Sequence, residues 1–282
     1  MGKVKIKRKS TLIDMTAMSV VTVLLLTFFM LTSTFLQKEP TIVYTPSSVS
    51  TEKVPVSDLV TILVSSADKT GKLDDPTFTE GKIFISFSGD SVLPSELLRQ
   101  QVLDKAVSLY NKQHERDKKN PPITLTEEQK AAFIKTNMLG TPFHYLPEVL
   151  SMDVVKRDQL MGDLTNEDPE VYKRIGIPIN NNTDEDHLND FQIWMKALKS
   201  VAQDVRDKHV EDLGMDKYNP EDREKIQALN DLYTSVTQGQ AISIKADKDA
   251  PFSVVNQIFE NLRFVELNKF TMMTALKSME QN

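Results

Sequence analysis

An uncharged stretch near the start of the chain constrains the fold more than any other feature. Residues 15–36 read MTAMSVVTVLLLTFFMLTSTFL, 22 residues without Asp, Glu, Lys, Arg or His. At about 1.5 Å per helical residue they would cover about 33 Å, and the hydrocarbon core of a bilayer is about 30 Å thick. Helices of soluble proteins are shorter, about 10–14 residues, and seldom apolar on every side. The stretch therefore predicts a transmembrane helix.

The charges on either side of this stretch predict its orientation. Five basic residues precede it: Lys3, Lys5, Lys7, Arg8 and Lys9. Basic residues stay on the cytoplasmic side of a membrane. A signal peptide has the same polarity, but its apolar core is about 7–15 residues long and ends in a small-residue cleavage site, which is missing here. We expect a cytoplasmic tail over 1–14 and an uncleaved anchor over 15–36.

Composition limits the partners of the exported part. The whole chain has a formal charge of −6, and residues 1–14 carry +4, so residues 38–282 carry −10. A nucleic-acid partner is excluded because a phosphate backbone selects basic surfaces. The chain has no cysteine, which excludes disulfides, thiol catalysis and thiolate metal sites. The absence of cysteine suits a bacterial periplasm as the compartment of the exported part.

The exported part begins with a linker and then shows strand patterns at two distant places. Residues 37–57 are rich in Pro, Ser and Thr and predict an extended linker, whose segment 41–44 (TIVY) could add to a sheet edge. Residues 59–65 and 82–88 predict strands. The same pattern returns at 241–246 and 269–275, with a helix over 251–264 between them. There Asp249 is predicted to cap a helix whose first residue is Pro251.

The residues between these strand patterns look helical. A helix is predicted after Pro94, and amphipathic helices are predicted over 186–212 and 220–236. Thr126 to Gln129 has the pattern of a capping box. We therefore predict an α+β periplasmic domain, a small sheet with two packed helices, built from 58–88 and 240–282. Residues 89–239 would form a largely helical insertion in it.

Two separated segments together resemble the ExbD/TolR family of bacterial inner-membrane motor subunits. The first is residues 3–33, KVKIKRKSTLIDMTAMSVVTVLLLTFFMLTS, and the second is residues 242–275, ISIKADKDAPFSVVNQIFENLRFVELNKFTMMTA. In the second segment a strand, KADKDAP, a helix and a strand follow in the order typical of the family. The resemblance covers about 110 of the 282 residues. The region 89–239 departs from it, because typical members are about half as long.

The resemblance implies a mechanism and a set of partners. Two copies of the single helix would sit inside a pentameric ring of ExbB-like subunits, and proton flow would turn one against the other. The movement would pass through the periplasmic domains to a TonB-like protein in the ExbD branch, or to the Tol–Pal system in the TolR branch. The ExbD branch is favoured here, with a second ExbD-like copy of the same or different sequence as partner.

The position at which the family carries its intramembrane aspartate is not acidic here. The resemblance places Val20 there, with Ser19 before it, and valine cannot bind a proton. Three explanations stay open: a companion copy that carries the acid, an inactive or engineered variant, or proton binding moved to Asp14. Asp14 is also well placed to be an interfacial charge at the headgroup level.

Hydroxyl side chains provide the remaining candidates for a proton path or pore contact. Thr16, Val20 and Thr27 fall on one helix face at spacings of i, i+4 and i+11. Such a face could hydrate or contact the ring. In a membrane span, however, Ser and Thr most often bond to their own backbone or to a neighbouring helix.

Other motifs do not point to an enzyme. The histidines are scattered, at His114, His144, His187 and His209, without the spacing of metal ligands. Nucleotide-binding loops and hydrolase signatures are missing from the sequence. We predict no enzymatic activity, no cofactor and no metal. Phe191 and Trp194 are interpreted as packing residues. The competing functional class is a membrane-anchored binding or structural protein without ion coupling.

Overall fold

The computed structural model describes the chain in two units, Met1–Lys38 and Glu39–Asn282. The residues described are 15–32, 39, 41, 43–48, 59–66, 81–89, 93–118, 120–164, 168–212 and 220–276. Predictions that fall elsewhere, including the basic tail 1–14 and Asp14, lie outside these residues.

The first unit contains the helix α1 (Met15–Thr32), whose 18 residues carry no charge. Its large apolar side chains are exposed, for example Leu24 at 62% and Met30 at 68%. The Thr22 and Thr27 hydroxyls donate to the backbone carbonyls of Met18 and Leu24, at 2.8 and 2.9 Å. No helix among the described residues is long and apolar enough to cross a membrane. Positions 33–36 of the uncharged stretch are not among the described residues.

The second unit is built on a mixed β-sheet. The strands are β1 (Ser47–Ser48), β2 (Val60–Val64), β3 (Ile83–Phe87), β4 (Met138–Leu139), β5 (Ile242–Ala246), β6 (Thr271–Met272) and β7 (Ala275–Leu276). Five of them form one sheet in the order β4-β3-β2-β5-β6, and β1 pairs with β7 separately. Together with the helices this makes the unit an α+β domain, as the sequence predicted.

The central strands form where β-branched residues are concentrated. β2 pairs antiparallel with β3 and parallel with β5, in a register that sets Ile62 opposite Ile85 and Ile244. These strands are buried along almost their whole length, and β2 is accordingly an almost continuous apolar run. The strands predicted over 59–65, 82–88 and 241–246 are confirmed within one residue at most ends.

Helices surround this sheet and separate its strands in the sequence. They are α2 (Ser95–Gln113), α3 (Glu127–Lys135), α4 (Leu146–Ser151), α5 (Val154–Gly162), α6 (Pro169–Tyr172), α7 (Asp190–Asp212), α8 (Pro220–Gln238) and α9 (Phe252–Phe264). The predicted capping box is confirmed, since the Thr126 and Gln129 side chains each bond to the other's backbone N–H. α9 connects β5 to its parallel neighbour β6, as a parallel pair requires.

Three local predictions need correction. Pro251, not Asp249, occupies the N-cap of α9, because the Asp249 N–H instead closes a turn on the side chain of Asp247 at 2.9 Å. The strand predicted over 269–275 is two short strands, β6 and β7. Within segment 41–44, the described residues form no strand, and β1 lies a few residues later.

The region 89–239 shares the hydrophobic core of the sheet. It contributes β4 to the sheet edge, and its residue Trp194 on α7 lies 5.8 Å from the ring of Phe87 on β3. Phe133 and Phe143 stack on the same indole, with ring centroids 5.6 and 4.9 Å away. Phe191 and Trp194 are packing residues, as predicted. The proposed boundaries of the insertion stay a prediction.

Candidate functional site

The candidate residues on α1 fall on one side of the helix. At about 100° per residue, Thr16, Val20 and Thr27 lie within about 40° of one another, and Ser19 lies about 60° beyond Thr16. Val20 is 54% exposed. The described part of α1 contains no titratable side chain, so this face offers hydroxyls and methyl groups but no proton-binding carboxylate. The roles assigned to these residues stay predictions, and Asp14 lies outside the described residues.

A second candidate site lies where the linker meets the sheet. The Lys245 ammonium on β5 lies 2.7 Å from both carboxylate oxygens of Glu39. The Tyr44 N–H donates to the Asp247 carboxylate at 2.8 Å, and the Lys248 N–H donates to the Tyr44 carbonyl at 2.7 Å. We call these five residues the linker clasp. They fix the linker at two points, Glu39 and Tyr44.

Asp247 is the organising residue of the linker clasp. It is 7% exposed, and its N–H donates to the carbonyl of Val64 on β2 at 2.9 Å. Its second carboxylate oxygen accepts the Asp249 N–H at 2.9 Å, which fixes the turn between β5 and α9. No pattern in the sequence indicated that the linker would bind to Asp247. The contact joins residues 203 positions apart.

The helical region contains a second partly buried carboxylate. Asp190, at the start of α7, accepts the Phe143 N–H at 2.9 Å. Burial raises the pKa of its carboxyl from 3.8 to about 6, against the lowering effects of that hydrogen bond and of His114. The Tyr110 ring stacks on Phe143 and on His114. These contacts join α2 to the start of α7 through Phe143, and we interpret them as packing contacts.

The described part of the chain has no cluster of three or more His, Asp or Glu side chains that could hold a metal ion. His187 lies beside Asp184 at 3.2 Å on the surface, and partial burial lowers the pKa of His144. Neither histidine is one of the residues of the linker clasp.

The chain has an uncharged helix near its N-terminus, followed by a linker and a mixed α+β domain. These features define a class of protein in which a folded domain is joined to an apolar helix. The family model described as "Biopolymer transport protein ExbD/TolR" matches residues 7–277, and the chain belongs to this family. No curated protein and no solved structure matches the chain. The family match runs through the region 89–239 as well as through the two segments that carry the resemblance.

Family membership makes the chain a subunit of a biopolymer-transport motor. Members are membrane-anchored and work with ExbB- or TolQ-like partners in a membrane complex. They are motor subunits rather than enzymes.

Proposed function

We propose that this chain is an ExbD-like subunit of a motor driven by the proton-motive force, which energises TonB-dependent transport across the outer membrane. The observation that carries the proposal is the family match, which extends from before α1 to the last short strand. In this proposal the chain occupies the pore of an ExbB-like ring together with a second ExbD-like copy.

The membrane anchor in this proposal is the uncharged run 15–36. The helix α1 covers residues 15–32 of that run, about 27 Å at about 1.5 Å per residue. The remaining four residues, Ser33 to Leu36, are also uncharged and would bring the total to about 33 Å. The basic residues before the run favour a cytoplasmic N-terminus in the bacterial inner membrane, with the domain in the periplasm.

We infer that the translocated proton is carried by another subunit. A carboxylate in a membrane span costs several kcal/mol to hold charged, so it is retained where a hydrated ring needs a group that titrates. Val20 avoids that cost and cannot titrate. Two helices in one ring need not both carry the acid, so an acid-bearing companion copy would supply proton coupling.

The linker clasp supports a mechanical role for the linker. A rotation of the helix would be passed to the domain along the chain that joins them, and Glu39 and Tyr44 are bonded to β5 and the β5–α9 turn. Tension on the linker would therefore act first on Lys245 and Asp247. In the proposed motor, these two residues are where movement of the linker would be transmitted to the sheet.

Val20 specifically favours the second candidate, a membrane-anchored periplasmic binding or structural protein without ion coupling. A TolR-like output is the third. The motor and the protein without ion coupling are distinguished by one set of measurements on the native membrane. Mass spectrometry after gentle extraction should find a ring of multi-span subunits and an acid-bearing second copy with this chain. A lone monomer or homodimer would contradict the motor.

The output branch is tested by deleting the gene. Loss of TonB-dependent uptake with an intact outer membrane supports the ExbD branch. Outer-membrane leakage with normal uptake would assign the chain to the TolR branch instead.

A further inference from the structure

A cleft of about 320 Å³ lies between the start of β3, the segment 173–179 and the first turn of α9. Its size is at the lower end of the range for small-molecule sites, about 300–1,000 Å³. Much of the lining is apolar, with a few polar groups among the branched side chains. The lining residues used below are Lys82, Ile83, Lys173, Ile175, Ile179 and Ser253.

The walls of this cleft are held in place by backbone contacts. The Gly176 N–H donates to the Gly140 carbonyl at 2.8 Å, and the Ile177 N–H donates to the Ile83 carbonyl at 2.9 Å. Gly176 has φ +87°, and a Cβ there would lie 2.7 Å from Cδ of Lys82. A glycine at this position therefore lets the stem of Lys82 lie directly against the segment 173–179. The cleft is a built feature of the fold.

Lys82 is a buried cation with no carboxylate partner among the described residues. It is 7% exposed, and its ammonium donates to the Tyr172 carbonyl at 3.2 Å and lies 3.6 Å from the centre of the Tyr172 ring. Among the described residues no carboxylate forms an ion pair with it. An ammonium has three donors, and these contacts engage two of them. Buried charges are normally paired, so an unpaired one needs an explanation.

The first turn of α9 adds further positive potential to the cleft. Pro251 at the N-cap supplies no side-chain acceptor for the free N–H groups of this turn. The N-terminus of a helix favours negative charge. By contrast, Lys173 at the cleft wall is already paired with Glu170 at 3.1 Å. Within the part of the chain that the structure describes, the cleft thus has one buried positive charge in excess, which matches a monoanion better than a dianion.

We propose that this cleft binds a small organic carboxylate whose body is apolar, with its carboxylate paired to Lys82 and its body against the isoleucines. The pairing gives the buried ammonium a counter-ion and its third donor an acceptor, and charge-assisted hydrogen bonds of this kind are strong. The apolar walls select a ligand with a hydrocarbon or aromatic body over a bare ion. The cleft uses residues of the helical region, and the inference does not rest on the proposed motor function.

Isoleucine methyl NMR of the full chain in detergent tests this proposal, with 3-phenylpropanoate as the probe and the uncharged 3-phenylpropanamide as its matched control. The acid should shift the methyl signals of Ile83, Ile175 and Ile179 saturably, and leave Ile62, in the middle of the sheet, unchanged. The amide should bind at least about tenfold more weakly, a difference of about 1.4 kcal/mol. Equal binding of acid and amide, or no saturable shift up to about 10 mM acid, would overturn the proposal.

Variants locate the anion. Lys82→Met should abolish the preference for the acid over the amide. If the variant keeps this preference, the proposal is overturned. Ser253→Asp is a second variant that does not endanger the fold, because an acid in the first turn of a helix is stabilising. It should weaken the acid at least about fivefold. The matched control Asn256→Asp adds the same charge to α9 at a residue that does not line the cleft, and it should weaken the acid less than Ser253→Asp does. Equal effects of the two variants would contradict the placement.

Discussion

At the scale of single residues, Lys82 has the clearest pH signature. Burial lowers the pKa of its ammonium from 10.5 to about 8. The folded protein therefore binds fewer protons than the unfolded chain between these pH values, and its stability rises with pH across that window. Below pH 8 the buried ammonium is charged, and its burial lowers the free energy of unfolding by about 3 kcal/mol, as the pKa difference implies.

Lys82→Met should consequently stabilise the protein near neutral pH. Loss of the contact with the Tyr172 ring offsets part of the gain, so we expect about 1–2 kcal/mol. The gain should shrink as the pH rises from about 8 to 10.5. Urea unfolding of both proteins across this range measures it. The exposed Lys248→Met is the control and should show no such trend, and a destabilised Lys82→Met at pH 7 would contradict the prediction.

Val20 is the second residue whose substitution separates hypotheses. If a companion copy carries the acid, Val20→Ala should behave like its neighbour Val21→Ala and change energised uptake little. Removal of the companion's acid should abolish uptake. Uptake that appears only with Val20→Asp would identify an inactive variant.

Asp14 completes this test. An interfacial charge predicts that Asp14→Asn has little effect, whereas a relay predicts loss of uptake with the complex still assembled. A decisive strain is one in which every helix in the ring pore has this sequence. Full uptake in that strain, together with loss of uptake in Asp14→Asn, would refute the hypothesis that another subunit carries the acid.

At the scale of elements, the linker clasp makes a testable connection between the linker and the β5–α9 turn. Asp247→Ala removes the acceptor of two backbone N–H groups, those of Tyr44 and Asp249. Leaving such groups without an acceptor costs about 1–3 kcal/mol. Limited proteolysis should then cut residues 39–48 faster, and energised uptake should fall even though the complex assembles.

The matched control for this change lies two residues further along the same turn. Asp249→Ala also removes an acidic side chain, but the Asp249 carboxylate lies 4.0 Å from Lys248 and is half exposed. It should therefore alter neither proteolysis nor uptake. If Asp247→Ala and Asp249→Ala behave alike, the linker clasp has no role in transmission.

At the scale of the whole molecule, the question is whether the helical region and the sheet unfold together. Trp194, the only tryptophan in the sequence, lies on α7 in that region and packs against Phe87 of the sheet. Because this core is shared, Trp194 fluorescence and hydrogen exchange of the β2 and β5 amides should report the same free energy of unfolding.

A lower free energy at Trp194 than in the sheet would support a modular insertion instead. In that case, replacing residues 89–239 with a short Gly/Ser linker should leave a cooperatively folded remainder. The shared core leads us to expect that this replacement exposes Phe87 and removes β4 from the sheet edge, and so destabilises what is left.

The sequence alone determined the uncharged helix, the central strands and the family, because each rests on local composition or on segments whose pattern is complete in itself. β2, β3 and β5 are short segments rich in β-branched or aromatic residues, and the capping box at Thr126 needs only four neighbouring residues. β4 was not predicted, and β6 and β7 were predicted as one strand. Each has only two residues, which is too short to show the alternating pattern of a strand.

Only the tertiary structure decided the contacts between distant parts of the chain. Tyr44 meets Asp247 across 203 positions, and the Lys82 ammonium meets the Tyr172 carbonyl across 90. No local pattern distinguishes Asp247 from another turn acid, or Lys82 from an exposed lysine at a strand end. Burial of both side chains arises only when the segments pack together, and it gives both residues the roles proposed for them.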